Sequence, residues 1–151
     1  MIFLIMNLMS CSKGQSQIYI KKVNPAESLS EVIVELSNIQ EKCEYYIPSL
    51  LYLVQDLPSS DSSRISITMI EGLEFLPMQM LKDLIGYFES GGRTILLMGE
   101  NAKRLCSNPQ EEKEFVYDED FEVYPSDYSL WVYKLKGSKL VELESYKIPC
   151  N

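Results

Sequence analysis

Apolar positions along the chain fall into blocks whose spacing changes from stretch to stretch, and the spacing predicts the elements. Leu29, Val32, Ile33, Leu36, Ile39 and Cys43 recur at helical intervals, as in a helix with one buried stripe. Asn24, Pro25 and Glu27 precede that stripe as N-cap, first-turn proline and capping-box acid. Residues 17–23 ahead of it are β-rich. Beyond Pro48, the positions Leu50, Leu51, Leu53, Val54 and Leu57 predict a second apolar helix or a continuation of the first.

The middle of the chain is the most strongly patterned. Residues 58–63 read as a loop and residues 64–70 as a strand. Pro77 then opens a helix whose face is Met78, Leu81, Leu84, Ile85 and Phe88, with Gly91-Gly92 at its C-cap. Residues 93–98 form a nearly continuous apolar run, the pattern of a strand buried on both faces. Strand, helix and strand with short links make a βαβ unit, which requires parallel strands and a right-handed crossover. A short helix follows over residues 101–106 and a strand near residues 115–117. Residues 130–135 and 139–148 flank Lys136-Gly137-Ser138 as a hairpin. The expected fold class is α/β, a single domain over residues 17–151. Its small, mostly parallel sheet is built from βαβ units and extended by a C-terminal antiparallel hairpin.

Composition narrows the chemistry. The 151 residues contain no histidine, so Ser-His-Asp and Cys-His sites and His-bearing zinc sites are excluded. A formal net charge of -8 repels phosphate backbones, which argues against nucleic-acid binding. No GxxxxGK[ST] loop occurs, and no CxxC pair, so no nucleotide cofactor or metal is expected.

The opening stretch bears on the compartment. Residues 2–9 are apolar except for Asn7, and Ser10-Cys11 then gives way to a polar Ser/Lys/Gly/Gln segment. Leu8-Met9-Ser10-Cys11 resembles the cleavage region of a bacterial lipoprotein signal, although no Lys or Arg precedes the apolar run. The resemblance implies that residues 1–10 are a signal segment and that Cys11 is the lipidated N-terminus of the mature chain. It also implies that residues 11–16 are a tether and that the body is membrane-anchored through lipid alone, facing the periplasm or the cell exterior. The competing reading makes residues 2–6 a buried strand of a cytoplasmic structural subunit. With Cys11 acylated, Cys43, Cys106 and Cys150 remain. Buried, inert thiols are their expected state, with one disulfide and one spare thiol as the alternative.

Residues 65–105 resemble two families at the level of βαβ patterning. One is the Rossmann-like segment of glutamine-amidotransferase-like domains, in which a helix ending in Ser-Gly-Gly feeds a buried strand. Met98-Gly99-Glu100 stands where that family carries its cysteine nucleophile, so no nucleophile transfers. The other is the Walker B to sensor region of clamp-loader ATPases, with Glu71 near the acidic position and Glu100-Asn101 near the sensor; Gly72 replaces the second acid of that motif. Within the expected sheet, Glu71 and Glu100 lie at the carboxyl ends of parallel strands, where open α/β sheets bind ligands. They are the residues of an alternative reading, an enzyme or a small-ligand or divalent-cation binder.

The charge is bunched. Between residues 107 and 128 stand eight acidic side chains against Lys113 alone. Glu111, Glu112, Glu114, Asp118, Glu119, Asp120 and Glu122 alternate there with aromatic residues that include Tyr117, Phe121 and Tyr124. Acid interleaved with rings suits docking to a basic protein surface, with charge steering the approach and rings anchoring the contact. Trp131, Tyr133 and Tyr146 on the hairpin read as sheet packing ahead of a sugar or peptide platform. The expectation is a small exported lipoprotein without catalytic activity that works by protein–protein contact, in the manner of an inhibitor or immunity protein.

Overall fold

The computed structural model describes residues 15–43, 51–57, 63–70, 76, 78–108, 112–118 and 129–147. In chain order the elements are β1 (Gln15–Lys21), β2 (Asn24–Pro25), α1 (Glu27–Glu41), β3 (Leu51–Leu57), β4 (Arg64–Ile70), α2 (Met78–Leu81) and β5 (Leu84–Ser90). They continue as β6 (Arg93–Met98), α3 (Glu100–Lys103), β7 (Cys106–Ser107), β8 (Glu112–Asp118), β9 (Leu130–Lys136) and β10 (Lys139–Lys147).

The fold is mostly β, which corrects the expected α/β class. A six-stranded sheet has the order β10-β9-β4-β3-β6-β5, and two-stranded ribbons pair β1 with β8 and β2 with β7. Within the large sheet only β3 and β6 are parallel; every other neighbouring pair is antiparallel. The βαβ unit expected over residues 64–98 is absent, because β4 and β6 are not neighbours but flank β3 on either side.

The physical reason lies in residues 78–92. The helix over this stretch stops at Leu81, after one turn, and Leu84–Ser90 is a strand paired with β6 through a hairpin. Gly91 and Gly92, expected as a helix C-cap, have φ of 59° and 76° and form the two-residue loop between Ser90 and Arg93. Two consecutive positive φ values are what a type I′ hairpin turn requires. β5 is buried on both faces, Phe88 in the core beneath α1 and Tyr87 in the core beneath β1. Two-sided burial produces an apolar run that spacing alone does not separate from a helical stripe. Gly86 reports the same packing: a Cβ there would meet Val23 and stand 2.9 Å from the Lys21 carbonyl oxygen, so the first segment crosses close over β5.

β3 corrects a second expectation. Leu51–Leu57 is not a helix but an interior strand, with Tyr52, Leu53 and Val54 buried in succession toward both faces. The helical stripe of α1 is present, with Leu29, Ile33, Leu36 and Gln40 buried, but its start is shifted. Asn24 and Pro25 pair with Ser107 and Cys106, and Ala26 is the N-cap, without a side-chain cap. The C-terminal hairpin turns at Gly137-Ser138, between Lys136 and Lys139, with positive φ at Gly137 only.

Three layers result. On one face Leu29, Ile33 and Leu36 of α1 join Tyr52, Val54, Ile65, Ile67, Ile95, Leu97 and Trp131 in the larger core. On the other, Ile20 of β1 joins Leu53, Leu96, Tyr87 and Met98, with Phe115 of β8 edge-on to Tyr87 at 5.5 Å. Each fully buried aliphatic side chain contributes about 1.5–3 kcal/mol relative to exposure, so both faces help hold the sheet. Cys43 is disulfide-bonded and Cys106 is a free thiol, so the set of inert thiols expected from the sequence is not what forms. Burial raises the Cys106 pKa, and Lys103 opposes that shift. Among the described residues no helix is long and apolar enough to cross a membrane.

Candidate functional site

The residues singled out by sequence fall in separate parts of the molecule. Glu100 is the first residue of α3 and is exposed. Glu71 lies outside the described residues, but the strand that leads to it is placed. β4 ends at Ile70 beside Leu51, where β3 begins, whereas β6 ends at Met98 beside Gln55 near the far end of β3. The two strands therefore finish on opposite edges of the sheet, because β4 is antiparallel to β3 and β6 is parallel to it. The shared carboxyl edge assumed for Glu71 and Glu100 does not exist in this topology.

A carboxylate that sequence reasoning missed occupies the β6 edge instead. Asp56, near the end of β3, accepts hydrogen bonds from the backbone N–H groups of Asn101 at 2.9 Å and Ala102 at 2.8 Å. It thereby satisfies donors that the first turn of α3 leaves open. Gly99 enters that turn with φ of 93°, and a Cβ there would lie 2.6 Å from the Asp56 Cγ. Both carboxylate oxygens are occupied in holding the chain. The missed signal is Gln55-Asp56, polar residues at the end of an apolar run whose spacing also suits a helix.

The acidic tract is described over β8. Its register with β1 pairs Tyr19 with Glu114 and Ile18 with Phe115. Phe115 packs toward the core, and Glu114 is exposed and accepts a hydrogen bond from the Tyr19 hydroxyl at 3.3 Å. Lys113 forms an ion pair with Glu89 at 3.2 Å and stands over the Tyr87 and Phe115 rings at 5.8 and 5.5 Å. Glu112, Tyr117 and Asp118 take backbone positions in β8, while Cys11, Glu111, Glu119, Asp120, Phe121, Glu122 and Tyr124 lie outside the described residues.

The hairpin aromatics come together with α1. Leu36 and Ile39 of the helix, Trp131 and Tyr133 of β9, and Leu143 and Tyr146 of β10 line a groove of about 230 Å³, with Glu35 at its rim. The geometry follows from register, since Tyr133 lies opposite Leu143 and Trp131 opposite Tyr146 across the hairpin. Trp131 is buried and tilted against Tyr52, with ring centroids 6.4 Å apart, whereas Tyr146 is 67% exposed. Below the helix end, the Gln40 side-chain amide donates to the Ser129 hydroxyl. Burial pushes the Tyr133 pKa up to about 12, and the nearby negative charge of Glu35 adds to the shift. The phenol is therefore protonated throughout the neutral range. The arrangement offers an apolar, aromatic recess with one carboxylate, and no nucleophile or acid–base pair among the described side chains that line it.

The chain matches no protein-family model, no curated protein sequence and no solved structure.

Proposed function

We propose that this chain is an exported, lipid-anchored binding module without catalytic activity, and that its acidic tract docks a basic protein surface. One observation supports the docking above the others. Lys113, the sole cation between residues 107 and 128, is exposed but engaged with Glu89 and two rings. Glu114 and Tyr19 stand together on the outer, exposed side. Glu114 of the tract and Tyr19 of its partner strand thus set an exposed acid beside an exposed ring, which supports a docking in which charge steers association and a ring anchors it. An inhibitor or immunity-type role is the concrete form of this reading.

A charge-neutral variant tests it, with Glu111, Glu112, Glu114, Glu119 and Glu122 changed to Gln and Asp118 and Asp120 to Asn, which leaves Asp127 balanced by Lys113. A partner retained by the native protein at low salt, released at high salt and lost by the variant is the expected result. Equal retention by both forms, or no partner for either, counts against docking. Intact-mass measurement of the membrane fraction tests the anchor through a lipid on Cys11. Peptide mapping of the Cys43 disulfide adds an independent check, since linkage to Cys150 leaves the Cys11 thiol for acylation and linkage to Cys11 removes it.

A further inference from the structure

Cys43 is disulfide-bonded and Cys106 is a free thiol, so the partner of Cys43 is Cys11 or Cys150. The fold separates these two. Cys43 stands just past the end of α1, where its backbone N–H donates to the Gln40 carbonyl oxygen at 2.9 Å and its Sγ lies 3.6 Å from the Ile39 carbonyl oxygen. Both of those residues face the hairpin. Ile39 lines a groove with Tyr146, and the Gln40 side chain donates to the hydroxyl of Ser129, the residue before β9. Leu130, which follows Ser129, lies opposite Lys147, the last residue of β10. The end of β10 therefore stands beside the end of α1. Cys150 follows Lys147 by three residues, a reach of about 10 Å.

Cys11 starts from the other side of the sheet. It precedes Gln15 by four residues, a reach of about 14 Å, and β1 packs on the face opposite α1. Each of those layers stands about 10 Å from the sheet, so they are about 20 Å apart through packed side chains, and the path round the edge is longer. A disulfide needs Cα atoms within about 7 Å of each other. We propose that Cys43 and Cys150 form a disulfide that fastens the C-terminal end of the hairpin to the end of α1 and leaves Cys11 outside it. Forming the S–S bond releases two protons and two electrons from the two thiols, and both go to a donor disulfide, which is cleaved to two thiols. The bond closes a loop of about a hundred residues, which restricts the unfolded chain. It also secures β10, which among the described strands pairs with β9 alone at the margin of the sheet. The assignment rests on the register of the hairpin and the end of α1, and on neither the acidic tract nor the lipid.

The test is peptide mapping under non-reducing conditions. The full chain is refolded from the reduced state in a mixture of reduced and oxidised glutathione, which supplies the donor disulfide, and free thiols are then alkylated. The expected result is one cross-linked species that joins the peptides holding Cys43 and Cys150, with Cys106 alkylated. A peptide joining Cys43 to Cys11 or to Cys106, or four alkylated thiols, overturns the assignment. Reduction of the native chain and Cys150→Ser are each expected to lower Tm by about 5–15 °C, and reductant does nothing further to the variant. A Tm that neither change moves overturns the fastening role. Cys11→Ser keeps both the linked peptide and the native Tm, and loss of the link in that variant also overturns the assignment. The lipid anchor fails separately, since a Cys43–Cys150 link in a chain from the membrane fraction with no lipid on Cys11 removes the anchor and keeps the disulfide.

Discussion

Asp56 and Gly99 are fixed by each other. The carboxylate occupies the space that any side chain at position 99 would need, and the backbone there has φ of 93° and ψ of 164°, a region open essentially to glycine alone. Asp56→Ala removes two hydrogen bonds to the first turn of α3 and costs about 1–2 kcal/mol in urea unfolding. Gly99→Ala costs more, about 2–4 kcal/mol, because backbone strain adds to the steric clash. In the double variant the clash disappears and the strain stays, so its destabilisation is smaller than the sum of the two. Tyr133 gives a pH signature. Its pKa rises from 10 in the unfolded chain to about 12 in the fold, so the folded state holds its proton longer. The associated stability is complete below pH 10 and is lost as pH rises through 12. Tyr133→Phe is expected to flatten that part of the stability–pH curve, while changing stability at pH 7 by only about 0.5 kcal/mol. Denaturant unfolding at pH 7, 10 and 12 measures both.

At the scale of elements, the decisive question is whether Ser90-Gly91-Gly92 ends a helix or turns a hairpin. Both uses need glycine at positive φ, so the dipeptide alone does not choose between them. The loop itself is open, with nothing within 4 Å of a Cβ at either glycine. Gly91→Ala therefore costs about 1 kcal/mol, from backbone strain alone. Gly91→Asn is close to neutral, because Asn-Gly is the preferred pair of a type I′ turn. Equal and larger losses in both variants, measured by Tm, would rule out that turn. Elsewhere the period was sufficient. The α1 stripe was legible because Leu29, Ile33 and Leu36 face one core while Glu31, Val34 and Asn38 face away. The hairpin at Gly137 was legible because polar turn residues interrupt two β-rich runs. β3 and β5 were not, since Tyr52-Leu53-Val54 and Tyr87-Phe88 bury neighbouring residues in opposite cores and so lose the alternation that marks a strand.

Across the whole molecule, one parallel pair in an antiparallel sheet places the chemistry. Because β3 lies between β4 and β6, the carboxyl ends of those two strands point to opposite edges, and the expected ligand edge is divided. The same order brings β9 and β10 to the margin of the sheet, where α1 covers Trp131 and Tyr133 and leaves a groove beside Tyr146. Those three aromatics were visible as a hairpin cluster, but Glu35, nearly a hundred residues away in the chain, was not linked to them. The sequence by itself determined the absence of imidazole chemistry, the bunching of acidic charge, the amphipathic helix and the closing hairpin, because composition and short-range period express these directly. Only the tertiary structure decided which strands are neighbours, the role of Asp56 and the meeting of Glu35 with the aromatic groove. Each of these depends on contacts between distant residues, which the spacing of nearby ones does not encode.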